Sequence, residues 1–191
     1  PWRSCRYSAA MDQPHFVAIA AGSGITPFII MIRTFMTGAH PRQMTLINGA
    51  RTEDDILFRD FLASAAAQCP WLRVVHVLSQ PHAAGWPDRG RISPEILDRH
   101  LPSGELADVT CLICGPQGLF ATTRKTLRAR GVPASRIRAE SFGPAAPGQA
   151  MTNWPADVDP AQRASVTVVG NATAVDSHAG ETLLGALERG G

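Results

Sequence analysis

Two spacings of apolar residues alternate along the chain up to about residue 142. Short continuous apolar runs such as 15–20 (His-Phe-Val-Ala-Ile-Ala) are typical of strands buried on both faces of a sheet. Segments with apolar residues every three or four positions lie between these runs and predict helices. In chain order, the predicted strands cover residues 15–20, 44–48, 72–78, 109–114 and 136–142, and the predicted helices cover 28–37, 54–69, 93–101 and 117–130.

Two of the helices carry further local signals. The helix at 54–69 is predicted to present one apolar face, formed by Ile56, Leu57, Phe58, Phe61 and Leu62. The helix at 93–101 is predicted to open with Ser93 as its N-cap and Pro94 in its first helical position.

Five strands separated by helices predict an α/β fold with a doubly wound, five-stranded parallel sheet. Residues 144–163 are rich in Pro and Gly and are predicted to form a linker. Beyond it, strands at 164–169 and 173–178 and a helix at 181–188 predict a short β-rich C-terminal tail. We therefore expect a leading segment (1–13), a main domain (14–143), the linker and an incomplete second domain (164–191).

Composition and charge exclude several classes of function. With 45% hydrophobic and 18% charged residues, the chain can bury a core and remain in solution. A net charge of +2 gives no reason to expect binding to nucleic acid or to a membrane surface. The longest apolar run, 16–21, is far shorter than the roughly 20 residues that span a bilayer. Four scattered cysteines predict neither a disulfide scaffold nor a metal site, so a cytoplasmic protein is the simplest expectation.

A glycine-rich turn follows the first predicted strand and opens the first helix. It comprises Gly22, Ser23, Gly24, Ile25, Thr26 and Pro27. Glycines let the backbone approach a pyrophosphate closely, and a helix N-terminus offers free N–H groups to an anion. Thr26 is predicted to cap that helix, with Pro27 in its first turn. Because Pro27 replaces the third glycine of the Gly-x-Gly-x-x-Gly fingerprint, the turn alone is equally compatible with a connection that binds no ligand.

A second turn, Cys114-Gly115-Pro116, closes the fourth predicted strand. If the first and fourth strands are neighbours, both turns flank the crevice where ligands bind in open parallel sheets. Cys111 and Cys114 also form a Cys-x-x-Cys pair. Residues three apart on a strand point to opposite faces, so we do not expect a redox dithiol.

Together with Glu140-Ser141-Phe142 at the end of the last strand, these motifs resemble the ferredoxin–NADP reductase superfamily over about residues 14–143. The resemblance implies that the 22–27 turn binds NAD(P)H, with Gly22, Ser23 and Gly24 along the pyrophosphate and Thr26 near the nicotinamide amide. It also implies that Cys114, Gly115 and Pro116 lie beside the nicotinamide, that Glu140 supplies a nearby carboxylate, and that Phe142 lies beside a flavin. Judged from the residues alone, Cys114 is a small buried hydrophobe, and Glu140 and Phe142 serve strand-end capping and core packing.

The choice between NADH and NADPH depends on cations around the 2′-phosphate of the adenine ribose. In the family such a cation often follows the serine at the end of the third strand, where this chain has Ser79 and then Gln80. Arg51, after the second strand, is either a substitute cation or a solvated loop residue. We expect a preference for NADH.

The two ends of the chain suggest a larger parent protein. Family members that bind flavin have an N-terminal barrel with an Arg-x-Tyr-Ser motif, and Cys5-Arg6-Tyr7-Ser8 is only a near match, so no complete flavin site is expected here. Residues 166–188 resemble the opening of a plant-type [2Fe–2S] ferredoxin domain, although an unrelated hairpin and helix is an alternative. The resemblance implies a parent with a flavin domain (FAD or FMN), a nicotinamide domain and a ferredoxin-like domain that passes electrons to a terminal oxygenase.

Three functions are compatible with these observations to different degrees. The first is the NAD(P)H-binding part of such a reductase. The alternative is a non-catalytic scaffold or docking domain that keeps the nucleotide-binding fold. An alcohol-type dehydrogenase is disfavoured because it needs an acid/base such as a Tyr–Lys pair, and the only tyrosine is Tyr7.

Overall fold

The structure is a computed structural model that describes residues 15–38, 42–104, 106–141, 155–167 and 174–190. The described residues fall into two compact units, which divide between residues 142 and 143.

The first unit contains a five-stranded sheet and four α-helices. The strands are β1 (His15–Ala21), β2 (Gln43–Ala50), β3 (Leu72–Leu78), β4 (Val109–Gly115) and β5 (Ile137–Ser141). The helices are α1 (Thr26–Thr37), α2 (Arg59–Gln68), α3 (Pro94–His100) and α4 (Gly118–Ala129), and short 3-10 turns cover Gly22–Ile25 and Ala134–Arg136. The strand order is β3-β2-β1-β4-β5 and every pairing is parallel, which confirms the predicted doubly wound sheet.

Two apolar layers cover the faces of this sheet, because successive side chains on a strand point to opposite faces. Phe16, Ala18 and Ala20 of β1 belong to the layer that packs under α1 and α2. Val17 and Ile19 belong to the other layer, under α3 and α4. All five side chains are 0% exposed, as expected for a central strand of a parallel sheet.

The start of α3 agrees with the sequence prediction. Ser93 has extended backbone angles, and its side chain accepts a hydrogen bond from the N–H of Ile96 at 3.4 Å. Pro94 occupies the first helical position, where its missing N–H costs no hydrogen bond.

The start of α2 was predicted wrongly. The helix begins at Arg59 instead of residue 54, because Asp55 closes a local turn by accepting hydrogen bonds from the N–H and the hydroxyl of Thr52 at 3.0 and 2.7 Å. Phe58 then adopts a left-handed conformation with φ of 58°. As a result Leu57 and Phe58, which were predicted to lie on the apolar face of the helix, are 44% and 45% exposed.

The second unit is a small antiparallel hairpin with a helix. Its elements are β6 (Arg163–Thr167), β7 (Ala174–His178) and α5 (Leu183–Gly190), close to the two strands and helix predicted for the tail. Val175 and Ala186 form its buried apolar contact surface. Within the described part of the chain, no helix is both long enough and apolar enough to cross a membrane.

Candidate functional site

The candidate site lies at the carboxyl ends of β1 and β4, where the winding of the sheet reverses. β1 has β2 on one side and β4 on the other, so the chain leaves β1 and β4 toward opposite faces. The register sets Ala20 beside Cys114, and Cys114 beside Glu140 of β5. In open parallel sheets such a switch point forms the crevice that receives a ligand.

The glycine turn forms one wall of this crevice. Residues 22–25 make one 3-10 turn that runs directly into α1. Gly22 has φ of +55°, a conformation that favours glycine, and no atom lies within 4 Å of the position where a Cβ would stand. Ser23 and Thr26 are exposed, whereas Ile25 is 0% exposed and anchors the turn in the core. The backbone of the turn is therefore accessible at Gly22, while the buried side chain of Ile25 fixes the turn to the core.

The prediction that Thr26 caps α1 is wrong. Thr26 is the first helical residue, with φ and ψ of −52° and −48°, and its hydroxyl donates to the carbonyl of Ser23 at 2.9 Å. The preceding 3-10 turn leaves Ile25 in a helical conformation at the N-cap, so no side chain caps the helix. The N–H of Thr26 donates to the same Ser23 carbonyl and Pro27 has no N–H, so the start of α1 attracts an anion through the positive end of the helix dipole.

Gly24 brings the two walls of the crevice together. A Cβ on Gly24 would overlap the carbonyl group of Cys114 and would lie 2.7 Å from the Cα of Gly115. Such a close backbone approach leaves no room for any side chain at this position. The turn after β1 and the turn after β4 are thus in direct contact, as the sequence predicted for two motifs that flank one crevice.

The two cysteines of the Cys-x-x-Cys pair lie on opposite faces of β4. Cys114 belongs to the apolar layer under α1 and α2, and Cys111 to the layer under α3 and α4. Both side chains are 0% exposed and both are thiols. Among the described residues, no group of three or more His, Cys, Asp or Glu side chains is arranged to hold a metal ion.

Burial raises the pKa of the Cys111 thiol to about 12. Because an exposed thiol in the unfolded chain ionises near pH 8.5, alkali favours unfolding above that pH and up to the folded pKa. We expect the free energy of unfolding to fall by about 1.4 kcal/mol per pH unit within this window through Cys111 alone. Urea unfolding at several pH values between 7 and about 10.5 measures this slope.

The matched control for this prediction is Cys111→Ala, in which the slope above pH 8.5 should be shallower by the contribution of one thiol. The other cysteines and the single lysine and tyrosine, Lys125 and Tyr7, contribute a background that is common to both proteins and cancels in the comparison. Equal slopes for the two proteins would show that Cys111 ionises as readily in the folded state as in the unfolded state.

Glu140 and Pro116 complete the nicotinamide end of the predicted site. Glu140 is half-buried and lies directly across from Cys114 on the edge strand β5. Pro116 is exposed at the start of the turn that leads into α4, and its carbonyl accepts a hydrogen bond from the N–H of Leu119 at 3.0 Å. Phe142, the predicted aromatic partner of the flavin, lies outside the described residues.

The residues predicted to bind the adenosine end meet at the carboxyl ends of β2 and β3. The N–H of Ser79 donates to the carbonyl of Ala50 at 3.1 Å, and the N–H of Gln80 donates to the carbonyl of Arg51 at 2.7 Å. The side chains of Arg51 and Gln80 also pair, with Nε donating to Oε1 at 2.9 Å. The structure therefore places Arg51, Ser79 and Gln80 in one cluster.

Glu53 is a residue of this cluster that the sequence did not reveal. Its carboxylate accepts hydrogen bonds from the N–H groups of His82 and Ala83 at 2.9 and 3.0 Å. These two bonds, first that of Ala83 and then that of His82, lower the pKa of Glu53 to about 2. The only sequence signal was the acidic run at 53–55, which begins five residues beyond the predicted strand 44–48 and overlaps the predicted helix 54–69.

The fold and the crevice define a dinucleotide-binding α/β domain. Comparison with known proteins makes this specific: the model of the oxidoreductase NAD-binding domain family matches residues 18–125, more than half of the chain. The chain belongs to this family, the NAD-binding domain of the ferredoxin-reductase superfamily.

The similar proteins are longer than this chain. A flavohemoprotein of Pseudomonas putida is 34% identical over 139 residues, covering 72% of this chain and 34% of that protein. A 1,2-phenylacetyl-CoA epoxidase subunit of Escherichia coli is 35% identical over 137 residues, covering 70% and 38%. The crystal structure of the Amycolatopsis cytochrome P450 reductase GcoB superposes with a TM-score of 0.60 at 27% identity, covering 71% and 39%. The chain thus spans little more than a third of the length of each.

Proposed function

We propose that this chain is the NAD(P)H-binding part of an electron-transfer oxidoreductase and positions the nicotinamide for hydride transfer to a flavin. The observation that carries the proposal is the backbone contact of Gly24 with Cys114 and Gly115, which joins the two turns at the switch point of the sheet. NAD(P)H supplies the hydride when it is bound, and the protein contributes binding and orientation.

The pyrophosphate is assigned to the glycine turn. Gly22 and Ser23 are exposed and Gly24 lets the backbone come close, while the N-terminus of α1 adds the positive end of a helix dipole. Ile25 holds the turn from below through its buried side chain, and Pro27 in the first helical turn keeps the helix start rigid. These residues fit an anion that lies close against the backbone of the turn.

The nicotinamide is assigned to the crevice between Thr26, Cys114 and Glu140. The Thr26 hydroxyl donates to Ser23, so its oxygen is left to accept a hydrogen bond from the nicotinamide amide. Cys114 has no exposed surface, so its role is to shape the crevice and exclude water instead of acting as a nucleophile. Gly115 and Pro116 form the turn after β4, beside the proposed nicotinamide position. Phe142 keeps its proposed place beside the flavin.

The adenosine end is assigned to Ser79, Gln80 and Arg51, and we propose that NADH is preferred over NADPH. Ser79 and Gln80 can hydrogen-bond ribose hydroxyls but carry no charge to neutralise a 2′-phosphate. The Arg51 side chain donates its Nε–H to Gln80, which draws the guanidinium into the local hydrogen-bond network.

The parent protein is proposed to contain a flavin domain, with FAD or FMN, and a [2Fe–2S] ferredoxin-like domain that serves an oxygenase. Two observations support this proposal. The chain spans little more than a third of each of the three similar proteins described above, one of which is a subunit of an epoxidase and another a cytochrome P450 reductase. The hairpin β6–β7 and helix α5 also have the element order of the opening of a plant-type ferredoxin domain. The coding sequence on either side of this chain would test the proposal directly.

Calorimetric titration of the chain with NADH and NADPH tests the nucleotide-binding function. We expect NADH to bind with a Kd below about 1 mM, equivalent to about −4 kcal/mol. GTP at the same concentration and ionic strength controls for non-specific binding of a phosphate chain. Absence of binding by both dinucleotides, or equal binding of GTP, would contradict the proposal and favour a non-catalytic scaffold.

A further inference from the structure

The loops that follow β2 and β3 are joined by a carboxylate. Glu53, Asp54 and Asp55 are consecutive in the turn after β2. Asp55 is used within that turn, where it binds Thr52. Glu53 instead reaches across to the loop after β3, where its two oxygens accept the N–H groups of His82 and Ala83 at 2.9 and 3.0 Å.

Two successive backbone N–H groups that converge on one anion are an arrangement that proteins also use to bind phosphate. Here the pair begins two residues beyond Gln80, at the end of the site proposed for the adenine ribose. The pair is already occupied by the chain's own carboxylate. Both hydrogen bonds favour the ionised form and lower the Glu53 pKa to about 2, so the carboxylate stays charged and bound to these amides even in mild acid.

We propose that Glu53 is a specificity-determining residue that favours NADH over NADPH. Its carboxylate accepts hydrogen bonds from the two backbone N–H groups just beyond Gln80, so these groups are not available as donors to a 2′-phosphate. A 2′-phosphate at this position would instead be repelled by the negative charge of Glu53. This inference rests on the proposed nucleotide-binding function and goes beyond the absence of a cation at residue 80. It assigns the preference to a residue 27 positions away in the sequence, held in place by the fold.

The charges around Glu53 also disfavour the binding of a 2′-phosphate. The turn contributes three carboxylates and a single guanidinium, that of Arg51. Asp54 lies 3.9 Å from the ring of His82. The hydrogen bonds from Thr52 lower the pKa of Asp55, and the charges of Arg51 and His82 add to this in smaller measure. Arg51, whose side chain pairs with Gln80, thus shares its turn with three carboxylates. A phosphate dianion is repelled by such a cluster, whereas ribose hydroxyls are indifferent to its charge.

The test compares Glu53→Gln with Asp54→Asn in the full chain. Glu53→Gln keeps the shape and removes the charge that occupies the amides. Asp54→Asn removes one charge from the same turn, from a side chain that is 86% exposed. We expect the ratio of the Kd for NADPH to the Kd for NADH to fall about tenfold in Glu53→Gln and less than about threefold in Asp54→Asn. The affinity for 2′,5′-ADP should rise in Glu53→Gln, and that for 5′-AMP should not.

The outcomes separate this inference from the function on which it rests. NADH binding by the wild-type chain with an unchanged ratio in Glu53→Gln would overturn the inference alone. An equal shift of the Kd ratio in both variants would also overturn it, because it would indicate the overall charge of the turn as the cause. So would an equal loss of affinity for NADH and NADPH in Glu53→Gln, because Glu53 would then only hold the two loops together. Failure of the wild-type chain to bind either dinucleotide would overturn the proposed function and this inference with it.

Discussion

Replacing Gly24 with alanine should weaken both nucleotide binding and the fold itself. The new Cβ would overlap the carbonyl of Cys114 and approach the Cα of Gly115 to 2.7 Å. These atoms are backbone in the centre of a parallel sheet, so no side chain can rotate away to make room. We expect the free energy of unfolding to fall by about 3 kcal/mol, at the upper end of the range for an overpacked position. Because the turn must shift away from β4, NADH affinity should fall at least about tenfold.

Urea unfolding and calorimetric titration with NADH measure the two effects. The matched control is Gly118→Ala in the first turn of α4, where nothing lies within 4 Å of the new Cβ. Alanine at that position should be neutral or stabilise the helix by up to about 1 kcal/mol, with unchanged NADH binding. If Gly24→Ala were as stable as Gly118→Ala and bound NADH equally well, the contact between the two turns would not be the feature on which the site depends.

The sheet was predictable from the sequence because β1 and β4 are short, largely apolar runs. Both strands are buried on both faces along nearly their whole length, so neither shows the polar face that would indicate a surface helix. Strands separated by helices then leave few topologies for a right-handed parallel sheet. The switch point follows from that topology, which is why the sequence alone could pair the two turns of the crevice.

The helix starts were less predictable, because local hydrogen bonds compete with apolar periodicity. Ile56, Leu57 and Phe58 continue the pattern of α2 in the sequence, yet the side chain of Asp55 closes a turn that the periodicity does not register. At α1, Thr26 has the right residue type for a cap, but the 3-10 turn before it shifts the helix start by one residue. Apolar periodicity indicates which residues are buried, whereas the first residue of a helix depends on individual hydrogen bonds that this periodicity does not reveal.

The individual hydrogen bonds between distant loops could not be predicted. The bonds of Glu53 to residues 82 and 83 span 29 and 30 positions, and neither partner has a distinctive pattern around it. The pairing of Arg51 with Gln80 has the same origin. Each residue was visible as a loop position after a strand, but only the sheet brings the loops of neighbouring strands together.

Asp88 forms a third contact of this kind and fixes the far end of the loop that carries Gln80. Its side chain is 8% exposed, with Oδ2 2.8 Å from Nε2 of His100 and Oδ1 3.0 Å from the guanidinium of Arg99, both at the end of α3. Arg73 donates to Nδ1 of the same imidazole at 2.8 Å, which leaves Nε2 as the donor to Asp88. The backbone of Asp88 also accepts the N–H of Leu78 at 2.9 Å, so the loop returns beside the end of β3.

Asp88→Ala should therefore lower the free energy of unfolding by about 3 kcal/mol, since it breaks a buried charged cluster and releases the loop from α3. Asp98→Ala is the matched control. Asp98 lies on α3, the helix that Asp88 contacts, and pairs with Arg130 at 2.8 Å, but the side chains of Asp98 and Arg130 are 44% and 41% exposed. An exposed pair of this kind contributes less than about 1 kcal/mol. Urea unfolding compares the variants, and hydrogen exchange at the Leu78 and Gly90 amides, which bond across the loop closure, should accelerate in Asp88→Ala alone. Equal losses of stability in the two variants would show that burial of the Asp88 cluster contributes nothing beyond an ordinary surface ion pair.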